Sequence, residues 1–218
     1  MKRVLKTAEE LHEQVPPNWY YESLKVDPFQ KLWHRRRFEE VSKLIEPTDG
    51  KILDIGCADG MFSKVILDKS KAESLIGMDV LEKSVKWANK HWRRNQRLRF
   101  VVGDAHKLKY KTETFDAVFA LEVLEHVHNP LKVIEEIKRI LKKGGYGVFL
   151  VPTDSLLFRF IWFLWLKFYP RGWVWKDTHI QTFRNDFLTE LCVRAGFKIE
   201  INKKFNLGML HLIKVRKK

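Results

Sequence analysis

The ten residues Lys51-Ile-Leu-Asp-Ile-Gly-Cys-Ala-Asp-Gly60 constrain this chain more than any other stretch. Ile52, Leu53 and Ile55 read as a short buried strand. The strand runs into a glycine turn, and a helix is expected to begin near Asp59. Strand, glycine turn and helix N-terminus together make a site for a nucleotide-like ligand, because backbone N–H groups and the helix dipole converge there. Gly56 permits the sharp turn. Gly60 is expected to let the backbone approach a ligand with no Cβ in the way. The spacing excludes two common alternatives. No Gly-Lys-Ser/Thr follows, so this is not a phosphate-cradling NTPase loop. A dinucleotide fingerprint would place glycines at 56, 58 and 61, where the chain has Gly56, Ala58 and Met61.

The form Gly-x-Ala-x-Gly, with Asp54 two residues before the first glycine, resembles the first motif of the class I S-adenosylmethionine-dependent methyltransferases. The resemblance continues in order. Leu75-Ile-Gly-Met-Asp79 looks like the second strand and its acidic end. Phe100-Val-Val-Gly-Asp104-Ala105 looks like the third strand and the Asp after it. Phe115 to Val127 looks like the fourth strand and its exit loop. Leu141 to Pro152 looks like a helix end, a glycine turn and the fifth strand. This implies a Rossmann-like α/β fold: a seven-stranded sheet, five strands parallel and the last two an antiparallel pair, with helices on both faces. Overall sequence character resembles the broad ubiquinone/menaquinone methyltransferase group.

The same resemblance implies S-adenosylmethionine as cofactor and assigns its contacts. Asp79 would accept both ribose hydroxyls. Asp104 would accept the adenine amine, with the Ala105 backbone N–H beside it. Asp54 would orient the turn and reach the cofactor's amino group. Gly56, Cys57, Ala58 and Gly60 form the turn, and Val80 and Leu121 flank the two strand ends. Glu122 would border the pocket floor and balance the positive cofactor, or serve only as a helix-start carboxylate. The Cys57 side chain reads as a small buried group, not a reactive thiol.

Methyl transfer from a sulfonium is a displacement on an activated donor, so alignment and water exclusion matter most. A base is needed only for a hydroxyl or protonated amine. His126, in Glu122-Val-Leu-Glu125-His126-Val-His128, and His179, in Asp177-Thr-His-Ile-Gln-Thr-Phe183, are the candidate catalytic residues. For His126 a base role and a packing role both stand. The Glu-x-x-Glu-His pattern is shared with ubiquinone-pathway O-methyltransferases. By that resemblance Glu122, Glu125 and His126 would hold a divalent metal. Many relatives carry the Glu-His pair with no metal assigned, so no metal is counted among the expected ligands. His12, His34, His91, His106 and His211 are expected to be solvated or satisfied.

With 218 residues and 45% hydrophobic content, one domain with decorations is expected. Residues 1–46 read as a helical lid and 47–218 as the methyltransferase domain, with an aromatic-rich insertion at 153–182. In the lid, Phe29 to Glu46 reads as an amphipathic helix with Leu32, Trp33, Phe38, Val41, Leu44 and Ile45 on its apolar side. Residues 16–21 read as irregular. Further strands are expected near 74–79, 99–102, 116–121, 146–151, 197–203 and 209–215, and helices near 59–69, 82–94, 130–142 and 184–195. Two cysteines exclude a disulfide framework. The N-terminal residues lack an apolar signal core, so a cytoplasmic protein is expected.

A net charge of +14 points to an anionic partner. Leu156 to Tyr169 is apolar and aromatic nearly all round, interrupted by Arg159 and Lys167. It is too short to span a bilayer, which needs about 20 residues. Trp and Tyr beside Arg and Lys suit a membrane interface. Residues 156–175 are therefore expected to dock on an anionic membrane surface. A buried pocket helix or a dimer contact is the alternative. The sequence reading is methyl transfer to a lipophilic or small-molecule acceptor, quinone- or lipid-like, at that surface. The other readings are an RNA- or protein-directed methyltransferase using the cations of Lys83–Arg99, and a non-catalytic binding protein. Intact Asp54, Gly56, Gly60, Asp79 and Asp104 argue against the last.

Overall fold

The computed structural model describes residues 7–169, 175 and 178–218. Seven strands form one sheet: β1 (Lys51–Ile55), β2 (Ser74–Asp79), β3 (Leu98–Val102), β4 (Phe115–Leu121), β5 (Leu141–Pro152), β6 (Lys198–Phe205) and β7 (Leu210–Arg216). Their order is β3-β2-β1-β4-β5-β7-β6. The first five are parallel, and β7 runs antiparallel to both β5 and β6. The order reverses between β1 and β4, where open sheets of this kind bind ligands at the carboxyl ends of the strands.

The sequence explains the two-sided core. β1 is apolar at consecutive positions, as a strand covered on both faces must be. Leu53 and Ile55 face one side, with Val118, Ala120 and Phe149. There they meet Val133, Ile134, Ile137 and Ile140 of α6 (Pro130–Ile140) and Leu188 and Leu191 of α8 (Phe187–Arg194). Ile52, Phe119, Val148 and Leu150 face the other side. They meet Ile66 and Leu67 of α4 (Met61–Ser70) and Val85 and Ala88 of α5 (Glu82–His91). α6 begins at an Asn129 cap whose side chain accepts the Lys132 N–H, followed by Pro130 at its first position.

The fifth strand begins earlier than the glycine pair suggested. Leu141 leaves helical geometry and pairs with Phe115, and a bulge follows before Tyr146 pairs with Ala117. Gly144 and Gly145 sit inside this extended run, where they exchange backbone hydrogen bonds with Lys217. They do not end the helix.

The N-terminal segment differs most from expectation. Residues 19–21, expected to be irregular, open α2 (Trp19–Val26), which follows the short α1 (Ala8–Leu11). The next helix, α3 (Pro28–Ser42), ends before Leu44 and Ile45. Its inward face is His34, Arg37, Glu40 and Val41, while Leu32 and Phe29 are 62% and 85% exposed. Polar side chains take the inner face because each finds a charged or hydrogen-bonding partner there. Arg37 meets Glu122, and Glu40 meets Lys43 and Lys203. α7 (Leu156–Phe168) forms as expected, starting at a Ser155 cap that accepts the Phe158 N–H.

The sheet edge carries a charge cluster. Glu46 accepts from Arg216 and Lys214, and Glu200 accepts from Arg216. Hydrogen bonds from Arg216 hold both carboxyls below the usual value, and Lys203 does the same for Glu40. Folding thus favours the ionised form of all three. Their contribution is full at neutral pH and is lost as pH falls below 4.5, the ordinary glutamate value, through the folded value. Glu46→Gln should cost roughly 0.2–1 kcal/mol at neutral pH, as partly exposed pairs do. Urea titrations across pH should show the gap between wild type and variant closing in acid. A gap that persists in acid contradicts this account.

Candidate cofactor and acceptor site

The glycine turn after β1 is locked to the end of β2. Gly56 N–H and Cys57 N–H both donate to the Met78 carbonyl, at 2.7 and 3.1 Å. Asp79 then accepts the Ala58 N–H at 2.8 Å and the Leu81 N–H at 2.9 Å. Gly56 has φ +72°, and a Cβ there would lie 2.3 Å from Val123 Cγ2. Gly60 is required for a different reason from the one expected. Its φ is +79°, and a Cβ would strike the Phe100 ring at 2.5 Å and Trp92 Nε1 at 2.8 Å. Its space belongs to packed aromatic side chains, not to a ligand.

A cavity of about 380 Å³ opens over the carboxyl ends of β1, β2 and β4. Gly56, Ala58, Asp79, Val80, Asp104, Ala105, Glu122 and His126 line it. Asp54, Cys57, Gly60, Leu121 and His179 lie outside the lining. Asp54 is buried under the turn and accepts the Ser63 hydroxyl at 2.6 Å. Cys57 packs in the core, and burial pushes its thiol well up, away from a reactive thiolate. Leu121 is buried in the same cluster. Asp104 accepts the His106 N–H at 2.9 Å and meets His106 Nδ1 at 2.8 Å. Burial alone would raise the Asp104 carboxyl, but the His106 contacts outweigh it and hold it below the usual value.

Glu122 borders the cavity, yet its charge is already answered. Arg37 Nη2 lies 2.5 Å from Glu122 Oε2, and Arg37 is 2% exposed. A second guanidinium nitrogen meets His34 Nδ1 at 2.9 Å. Arg37 thus answers in large part the Glu122 charge that was expected to balance a cationic cofactor.

The N-terminal segment forms the cavity's roof. His12, Val15, Pro16 and Trp19 line it at spacings of three, four and seven, a signal readable in the sequence, and Tyr20 joins them. Asp59, fully buried beside the glycine turn, accepts the Tyr21 N–H at 2.7 Å. The Lys83 ammonium reaches the Glu13 carbonyl. His12, expected to be solvated or satisfied, is buried, with its ring 4.5 Å from that of His126 and 5.8 Å from that of Trp175.

His126 belongs to a single 3-10 turn, Leu124–His126, after β4. Its Nδ1 lies 2.8 Å from the Thr178 carbonyl, which can only accept, so Nδ1 carries the proton and Nε2 the lone pair. Burial, with His12 and His179 nearby, lowers the His126 value well below 6.5, so the ring is neutral. His179 lies outside the cavity lining but its ring centre is 5.0 Å from that of His126, and burial brings its value down to about 4. Glu125 is buried beneath, and burial raises its carboxyl strongly. The metal set carried over from the sequence pattern, Glu122 with Glu125 and His126, is not the one brought together. One donor atom each of Glu125, His126 and His179 lies within 4.8 Å of the others, while Glu122 is engaged by Arg37.

The comparisons with known proteins agree with this geometry. A methyltransferase-domain family matches residues 29–201. The chain is 29% identical over 163 residues to a ubiquinone biosynthesis O-methyltransferase from Pelagibacter ubique, covering 74% of this chain and 63% of that one. It is 33% identical over 110 residues to a sterol 24-C-methyltransferase from Aspergillus fumigatus, covering 48% of this chain and 29% of that one. It therefore spans less than two thirds of these relatives' lengths. The solved structure of the cyclase SpnF superposes with a TM-score of 0.75 at 17% identity, over 99% of this chain and 97% of that one, which speaks for the fold alone.

Two outcomes follow from the cavity. Asp79→Asn places an amide against two backbone N–H donors and loses the charge expected to meet the ribose. S-adenosylmethionine binding should weaken by about 2 kcal/mol, roughly 30-fold. Calorimetry showing unchanged affinity contradicts the assignment. Burial also raises Asp79, and lifts Asp54 to about 7 and Asp59 to about 6. A cationic cofactor favours the ionised forms. Affinity should therefore rise with pH up to about 7, with protons released on binding below that. Calorimetry in buffers of differing ionisation heat reads the protons directly, and their absence contradicts this account. Strand order, locked glycine turn, acidic strand ends and sequence match all converge, and the chain belongs to the methyltransferase-domain family, the class I proteins whose cofactor is S-adenosylmethionine.

Proposed function

We propose that the chain moves a methyl group from S-adenosylmethionine to a lipophilic or small-molecule acceptor, quinone- or lipid-like, at a membrane surface. One observation carries this reading: α7 has one end of its chemistry in the site and the other in solvent. Trp162 and Phe158 stack on His179, whose ring meets His126 at the cavity. Leu156, Phe160, Phe163 and Phe168 of the same helix are 85%, 60%, 57% and 69% exposed. An apolar surface thus runs from solvent to the His126 side of the cavity. The ubiquinone and sterol methyltransferases among its relatives are named for acceptors of this character.

The surface extends beyond α7. The Tyr169 hydroxyl donates to Asp27, which also caps α3, so the end of α7 adjoins the α2–α3 corner. Val26, Phe29 and Leu32 are exposed there, beside the exposed cations Lys25, Lys31, Arg35 and Arg36. Rings rimmed by cations suit an anionic bilayer better than a second copy of an equally basic chain. At 13 residues α7 is about 20 Å long, too short to cross a bilayer. Among the described residues no helix is long and apolar enough to do so.

In the reaction an acceptor lone pair forms the new bond to the methyl carbon. The carbon–sulfur bond breaks with its electron pair going to sulfur, which discharges the sulfonium. The glycine turn and Asp79 fix the donor, and the roof excludes water. The neutral His126 ring, oriented by Thr178, marks the acceptor end. An acceptor hydroxyl gives up its proton there.

Two measurements test this. Incubation with methyl-labelled cofactor and fractionated extract should put label in the lipid fraction, and label in RNA or protein overturns the reading. The variant Phe160→Ser, Phe163→Ser, Phe168→Ser should lose flotation with anionic vesicles while keeping cofactor affinity, since each ring buried in lipid contributes up to about 1.5–3 kcal/mol. Wild-type protein that stays unbound at low salt rules out the membrane surface.

A further inference from the structure

Glu125 presents the sharpest unsatisfied chemistry in the structure. Its side chain is 1% exposed, and among the described residues neither carboxylate oxygen has a hydrogen-bond partner. Buried carboxylates are paired, hydrogen-bonded or bound to a cation, because an unanswered one is costly. Directly opposite, His126 Nε2 holds a lone pair, since Nδ1–H is committed to Thr178. The gap from Nε2 to Glu125 Oε1 is 4.0 Å. That is too long for a shared hydrogen bond, which needs about 3.2 Å or less. Two electron-rich atoms facing each other across such a gap call for a positive centre between them.

A third donor is held in place by the backbone. Ile180 N–H and Gln181 N–H both donate to the Glu125 carbonyl, at 2.9 and 3.0 Å. This clips the segment carrying His179 to the turn carrying Glu125 and His126. The His179 ring lies nearly parallel to Trp162, 5.4 Å away at 24°, which fixes its plane. The three donor atoms fall within 4.8 Å of one another. A divalent ion with bonds of about 2.0–2.2 Å can gather donors so placed with small side-chain shifts.

We propose that Glu125, His126 and His179 hold a zinc-class divalent cation at the acceptor end of the cavity. Two imidazoles and one carboxylate suit zinc, or cobalt as its spectroscopic stand-in, over magnesium, which favours oxygen donors. Thr178 is the outer partner that orients His126, as metal-binding histidines usually require. Three protein donors leave a position for an acceptor oxygen on the cavity side. This last point rests on the proposed methyl-transfer reading, and it favours acceptors bearing a hydroxyl group. The cation would weaken that hydroxyl's hold on its proton.

The test is metal binding itself, read without cofactor or acceptor, so its failure leaves the methyl-transfer reading standing. Full-length protein is stripped with a chelator and titrated with cobalt. One equivalent should give the visible absorption of a tetrahedral nitrogen–oxygen site, and zinc should displace it. His179→Ala and Glu125→Gln should each weaken cobalt binding by roughly 10–100-fold or more. Glu125→Gln keeps shape and removes charge, so it guards against a folding defect, which circular dichroism also checks. Glu122→Gln should leave cobalt affinity unchanged. Absence of a saturable cobalt signal overturns the proposal. So does binding that survives both His179→Ala and Glu125→Gln, or binding that depends on Glu122.

Discussion

The carboxylate of Asp79 is the fixed point from which the site is built. It sits at the end of β2 and accepts two backbone N–H groups, Ala58 from the glycine turn and Leu81 from the entry to α5. A strand end, a turn and a helix entry therefore share one anchor. The Met78 carbonyl reinforces it by taking Gly56 and Cys57. The turn in turn bears on the exit from β4, because Gly56 leaves no room beyond the Val123 side chain. Val123 lies between Glu122 and the 3-10 turn that carries Glu125 and His126. Displacement of Asp79 would thus reach the acceptor end through close packing, without any long-range charge effect.

The roof is fastened by polar contacts to the same parts. Asp59, one residue from the glycine at the turn's end, holds the Tyr21 amide. Glu122, one residue from Val123, holds Arg37. Asp59 and Arg37 are themselves buried, where an abandoned partner is expensive. The buried polar face of α3 follows from this. Arg37 and Glu40 are inside because Glu122 and Lys203 supply partners for them and His34 meets Arg37, and Phe29 and Leu32 are left outside.

Legibility in the sequence divides along the same line. The sheet could be read because its strands are short apolar runs punctuated by glycine and aspartate, and local pattern decides such elements. The cavity floor could be read for the same reason: Gly56, Asp79 and Asp104 lie at strand ends. The roof could not. His12 looks like any solvated histidine until Trp175 and His126 come beside it from 163 and 114 residues away. The face of α3 was read in part: Val41 and Trp33 pack on the core, but apolar periodicity assumes that charges face water, and Arg37 does not. Gly60 was assigned to a ligand on local grounds, whereas Phe100 and Trp92 claim the space from other elements. The Glu-x-x-Glu-His motif divides in the same way. Glu122 is engaged by Arg37, and the third donor of the proposed cation site, His179, comes from another segment.

Short helices make the roof dependent on what lies beneath it. α1 and α2 contain 4 and 8 residues, far below the length at which an isolated helix holds in water. Their order comes from Val15 and Trp19 packing inward and from the contacts to Asp59 and Lys83. Each of these reaches the cavity wall or the elements that shape it. A ligand filling the cavity adds contact area to His12, Val15, Trp19 and Tyr20 at once. Local opening costs the sum of the contacts that must be broken, so a filled cavity holds the roof more tightly than an empty one. If the donor fills this cavity, its binding and the exclusion of water are one event, because the side chains that line the cavity are the side chains that close over it.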